Sequence, residues 1–168
     1  DWSSDVCYSD LHPEVTERRI LAAAKKLFAE KGYDKTSIQD IIDKLGDLSR
    51  GAIYHHFKSK EAILERLNTD DWHASQALCD EIAKRDDMNA MEKLRSLFAN
   101  SLGDAAHLAL VKATVPFFDD PATFTANMRF WSTELPKNFE PLIEEGQLDG
   151  SIPTEYPRDR KSTRLNSS

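Results

Sequence analysis

The chain lacks most of what builds small secreted folds or crosses membranes. It holds two cysteines in 168 residues, too few for a disulfide framework. Six glycines and seven prolines exclude a collagen-like or low-complexity chain. No apolar run approaches the roughly 18 residues a spanning helix needs, so a membrane is not an expected partner. No secretion signal is visible, and a cytoplasmic location is the expectation. Basic charge is also short. Twenty-two Lys and Arg stand against 29 Asp and Glu, for a net charge of −7. That total argues against a nucleic-acid partner only if it is evenly spread. The length suits one domain, or one domain with a small module.

Both ends look foreign to the rest. Residues 1–11 read DWSSDVCYSDL and 159–168 read DRKSTRLNSS, with no helical or strand period in either. Back-translated with one permitted codon set and reverse-complemented, the tail encodes the head from Asp1 to Asp10. The one mismatch is Tyr8, where Ser is expected and a single base change suffices. The string resembles a common sequencing-adaptor read. We therefore expect 1–11 and 159–168 to be adaptor-like and non-native, and set them aside from folding arguments as expression scars would be. The segment 12–158 keeps one cysteine, Cys79.

That segment reads as almost entirely helical. Over 13–31, Ile20, Ala24, Leu27 and Phe28 share one face at a 3.6-residue period. Pro13 suits a first turn and Gly32 a stop. Ile38, Ile41, Ile42 and Leu45 repeat the period, with Thr36 and Gln39 at capping-box spacing and Gly46 ending the helix. Ser49 can cap a short helix carrying Ile53 and Phe57. Ser59 can cap a longer one running towards Lys84. Further helices are predicted over 89–102, 104–118 and 121–146. Pro136 and Pro141 are expected to kink or break the last of these. No strand alternation or internal repeat appears.

Charge is unevenly placed along this segment. Residues 12–68 carry 11 basic and 9 acidic side chains, whereas 69–158 carry 8 and 16. A basic front half and an acidic body suit a protein whose front meets a polyanion.

Two short helices joined by a tight Gly-containing turn form a helix-turn-helix arrangement, whose second helix enters the major groove of DNA. If Ile53 and Phe57 anchor the inner face of 49–57, the outer face shows Arg50, Gly51, Ala52, Tyr54, His55 and His56. Arg can donate twice to guanine and Ala can touch a thymine methyl. Gly51 would let the helix start approach the duplex closely. Thr36, Ser37, Tyr54 and Lys60 have the chemistry to hold backbone oxygens.

The stretch RILAAAKKLFAEKGYDKTSIQDIIDKLGDLSRGAIYHHFKSKEAIL resembles the DNA-binding domain of the TetR/AcrR family of bacterial transcriptional regulators. The similarity covers about residues 13–67 and rests on LFAEKGY, T-S and G-x-x-S-R-G-x-I-Y-x-H-F-K-S-K-E at fixed spacing. The turn GDLS is one residue longer than the usual form. The resemblance implies an all-α fold, with a three-helix head at 12–58 and a helical ligand-binding and dimerisation body at 59–158. It implies a ligand-responsive repressor that binds a near-palindromic double-stranded operator as a homodimer and answers to a small-molecule effector. By position, Arg50, Ala52 and His55 become base-reading candidates. Thr36, Ser37, Gln39, Tyr54, His56 and Lys60 become phosphate candidates. Family members usually extend further, so the body is expected to be truncated, with apolar surface left open and dimerisation weakened.

A small-molecule-binding or protein-interaction module with no DNA role is the alternative, supported by the acidic body. His55 and His56 point about 100° apart on a helix and cannot chelate one metal ion well. His73, Cys79 and His107 are scattered, so no metal site and no cofactor are expected. No nucleophile–base constellation is visible, and an enzyme is not expected. Phe98, Phe117, Phe118, Phe130 and Trp131 are candidates for the effector pocket, against the plainer reading of core packing.

Overall fold

A computed structural model of the chain describes residues 13–153. Both adaptor-like segments lie outside the described residues. Seven α-helices and a single 3₁₀ turn make up the described part: α1 Pro13–Lys31, α2 Ile38–Leu45, α3 Arg50–His56, α4 Lys60–Ala83, α5 Ala90–Gly103, α6 Ala105–Thr114, the 3₁₀ turn Val115–Asp119, and α7 Pro121–Asp149. The all-helical class expected from the periodicity is what the described residues adopt.

Local chemistry sets the boundaries. Gly32 and Gly46 take left-handed backbone, at φ +87° and +76°, which a residue with a Cβ resists. Ser49 and Ser59 cap α3 and α4 as expected, accepting from the N–H of Ala52 and Ala62. The capping box of α2 sits one residue later than the sequence suggests. Ser37 and Asp40 form it, not Thr36 and Gln39. The Thr36 hydroxyl is turned inward, donating to the Gly32 carbonyl at 2.8 Å, so the cap falls to its neighbour. The helix expected over 104–118 tightens after Thr114, two residues before Pro116, which has no N–H to continue it. The long helix α7 is continuous through Pro136 and Pro141, so neither proline breaks it. Each proline removes one hydrogen bond, and packing along α5 accompanies the unbroken helix.

Packing is organised around two apolar clusters of unequal size. The larger joins Ile20, Ala24, Leu27 and Phe28 of α1 to Ile41, Ile53, Phe57 and the first turns of α4. It also takes in Leu110 and Ala113 of α6, so the front three helices share their core with a helix from the acidic half. The smaller cluster, Ile82, Leu97 and Leu142, lies where the far end of α4 meets α5 and α7. The buried Lys93 closes it, donating to the Ala83 carbonyl at 3.0 Å and to Glu145 at 2.7 Å. Between the clusters α4 runs with few buried side chains.

Candidate nucleic-acid interface

The geometry of α3 follows from its two anchors. Ile53 is fully buried and Phe57 nearly so, and both point into the larger cluster. The opposite flank is left to solvent. Arg50, Gly51, Tyr54 and His55 are exposed, with Ala52 and His56 half-buried beside them. The Arg50 guanidinium lies 6.0 Å from the Tyr54 ring centre, and the imidazoles of His55 and His56 meet edge to face at 5.5 Å. A Cβ on Gly51 would meet only Ser49 Oγ, at 3.8 Å. Nothing inside the protein requires glycine there.

The turn that sets α3 against α2 is held from outside. Arg19 of α1 donates twice to Asp47, at 2.6 and 2.7 Å. This pairing holds the Asp47 carboxyl below its usual range. Sequence reasoning missed Arg19, because 28 residues separate the partners and no periodicity links them. It also passed over Lys58, which is exposed at the end of α3 and reaches the Tyr54 carbonyl at 3.5 Å. The K-S-K run could have flagged it.

The phosphate candidates divide. Ser37 is exposed at the start of α2, though its hydroxyl is engaged with Asp40. Gln39 is exposed and donates to Asp43 at 2.8 Å. Two expectations need correction. Thr36 is 2% exposed and its hydroxyl is committed to Gly32, so it presents nothing to a duplex. Lys60 is folded back: its ammonium sits 4.0 Å above the Tyr33 ring and donates to the Tyr33 carbonyl at 3.0 Å. Tyr33 also donates to Glu61 at 3.1 Å, and burial pushes its own hydroxyl pKa up, with the Glu61 charge adding to the effect. Lys60 thus fastens α4 to the α1–α2 loop.

A family model of bacterial regulatory proteins, tetR family, matches residues 20–67. The transcriptional repressor KstR2 of Mycolicibacterium smegmatis is 31% identical over 150 residues, covering 83% of this chain and 69% of that protein. The chain belongs to the TetR family. The regulator QacR of Staphylococcus aureus is 40% identical over 68 residues, 36% of each chain. The structure of Salmonella enterica GusR aligns with a TM-score of 0.64 at 28% identity, covering 85% of this chain and 73% of that one. Against these relatives the chain spans between about a third and about three quarters of their length. It is a DNA-binding transcriptional regulator with a TetR-type helix-turn-helix head.

The body of this TetR protein does not bring the five aromatic candidates into one pocket. Phe117 turns towards the head, edge-on to Tyr33 at 6.1 Å. Phe118 meets Phe124, and Phe98 stacks on Phe139 at 5.8 Å. Phe130 and Trp131 gather around Trp72 of α4, at 5.1 and 5.4 Å. Of the five, only Trp131 lines an open groove of about 550 Å³, and its whole lining comes from α7. The rings are dispersed because helical spacing spreads them over separate faces of α5, the 3₁₀ turn and α7. Among the described residues no three His, Cys, Asp or Glu gather as a metal site, and no helix is long and apolar enough to cross a membrane.

Proposed function

We propose that this TetR regulator is a ligand-responsive repressor that holds a near-palindromic operator as a homodimer. In this reading residues 12–58 are the DNA-binding head and 59–158 the ligand-binding and dimerising body. Arg50, Ala52 and His55 read base edges, with Ser37, Gln39, Tyr54 and His56 on the phosphates beside them. A bound effector would favour a head separation that no longer matches successive major grooves, about 34 Å apart. Operator binding puts the protein in the cytoplasm with the chromosome.

One observation carries this reading. The polar flank of α3 is open to solvent while Ile53 and Phe57 are sealed beneath it. Relatives such as KstR2, a repressor, support the sign of regulation. The test is a gel shift and footprint on the DNA upstream of the protein's own gene. Arg50→Ala is expected to weaken specific binding by about 1–3 kcal/mol and to relax one base position. A footprint left unchanged by that substitution would remove Arg50 from the reading face.

A further inference from the structure

A polar chain crosses the junction of head and body, and DNA reading makes no use of it. His107, in the first turn of α6, places Nδ1 2.6 Å from Asp71 of α4. Its Nε2 lies 3.2 Å from Ser101 Oγ, near the end of α5. Asp71 lies 3.9 Å from the Lys25 ammonium of α1. Four side chains thus connect four helices. One turn earlier on α4, Asn68 donates to Thr114 at 3.1 Å, so α6 is stitched to α4 at both ends. Between the two stitches Leu110 is buried in the head's own core.

We propose that this chain is a proton-sensitive clasp, in which protonation of His107 tightens α6 against α4 and α1 and deprotonation slackens it. Imidazole is the side chain whose ordinary titration falls near neutrality. With the ring neutral, Nδ1–H donates to Asp71 and Nε2 accepts from the Ser101 hydroxyl. With the ring protonated, Nε2–H donates to Ser101 Oγ instead. Neither bond is broken by the change, and the one to Asp71 becomes charge-assisted at both ends.

Charged groups from three helices face the ring. Asp71 comes from α4, Lys25 from α1 and Asp104 from the cap of α6, while α5 offers the neutral Ser101. Asp70, next along α4, is paired with Arg66. Asp104 accepts from the backbone N–H groups of His107 and Ala106. Those bonds, with the charges of Lys25 and His107, hold its carboxyl below the usual range. Two carboxyl groups and one ammonium thus surround the stitch. The sequence Ser101–His107–Asp71 also has the order of a hydrolytic triad. The Ala106 and His107 N–H groups at the start of α6 are already taken by Asp104, however, and are not free to hold an oxyanion.

The test follows amide hydrogen exchange of α6 in the full chain at about pH 6 and about pH 8, corrected for intrinsic rates. Wild-type protection of α6 is expected to be several-fold higher at the lower pH. His107→Gln should flatten that difference, Asp71→Asn should flatten it equally, and the double variant should add nothing. The His107 ring resonance, followed through the same pH range in wild type, needs no variant and should titrate together with the change in protection. His55 and His56 lie on α3 and His73 on α4, and the His107→Gln comparison separates any effect of theirs from that of His107. Equal protection at both pH values, or a pH difference that survives in His107→Gln, overturns the proposal.

Discussion

Side-chain chemistry says what a group can bind, and only the backbone around it says which way it points. Arg50, Tyr54 and His55 face solvent because two apolar neighbours four residues apart, Ile53 and Phe57, fix the rotation of α3. That much was legible in the sequence. Thr36 and Lys60 have equally suitable chemistry, yet one is sealed against Gly32 and the other lies over Tyr33. Each is decided by a loop that no periodicity describes. Thr36→Val should therefore cost about 1–2 kcal/mol in urea unfolding, since it strands the Gly32 carbonyl, and leave the salt slope of DNA binding unchanged. Gly51→Ala separates fold from function in the opposite sense. The added methyl meets nothing closer than 3.8 Å within the protein, so stability should hold or rise by about 1 kcal/mol. Operator affinity should fall, because the methyl stands where the helix start would approach the duplex.

Helices of seven or eight residues do not hold themselves, which makes their ends decisive. Ser49→Ala removes the cap of α3 and is expected to cost about 1 kcal/mol, seen as a lower denaturation midpoint together with weaker operator binding. Several other ends are acid caps. Hydrogen bonds from the Lys31 ammonium and Ser37 hold the Asp40 carboxyl below its usual range. Hydrogen bonds from the His107 and Ala106 N–H groups do the same for Asp104, and those from the hydroxyl and N–H of Thr123 for Asp120. A depressed carboxyl contributes stability above its ordinary pKa and loses it as pH falls through the lowered value. Helical signal should thus be steady from neutrality to about pH 5 and decline below about pH 4. Where the first five helices lie was readable from spacing and caps to within a residue or two, while the last two helices end four residues earlier and three later than the spacing predicts. What α7 does at Pro136 and Pro141 was not readable, because a proline's local cost is opposed by packing along the whole helix. Replacing Pro136 with Ala should raise the unfolding midpoint, with up to about 3 kcal/mol available.

For the molecule as a whole, the contrast between a basic front and an acidic body is the feature that total charge concealed. Operator affinity should fall steeply with added salt, as neutralised phosphates release their counterions; a flat salt titration would contradict an electrostatic head. How the halves meet was invisible to the sequence. Leu110 lies 43 residues beyond Leu67, yet both belong to one apolar cluster with α1. That shared interior has a practical corollary. A DNA-reading fragment excised at Asn68 would be missing part of its own wall, and the place of Leu110 and Ala113 would open to water. Such a fragment should melt well below the parent chain, and limited proteolysis should fail to release it as a folded piece.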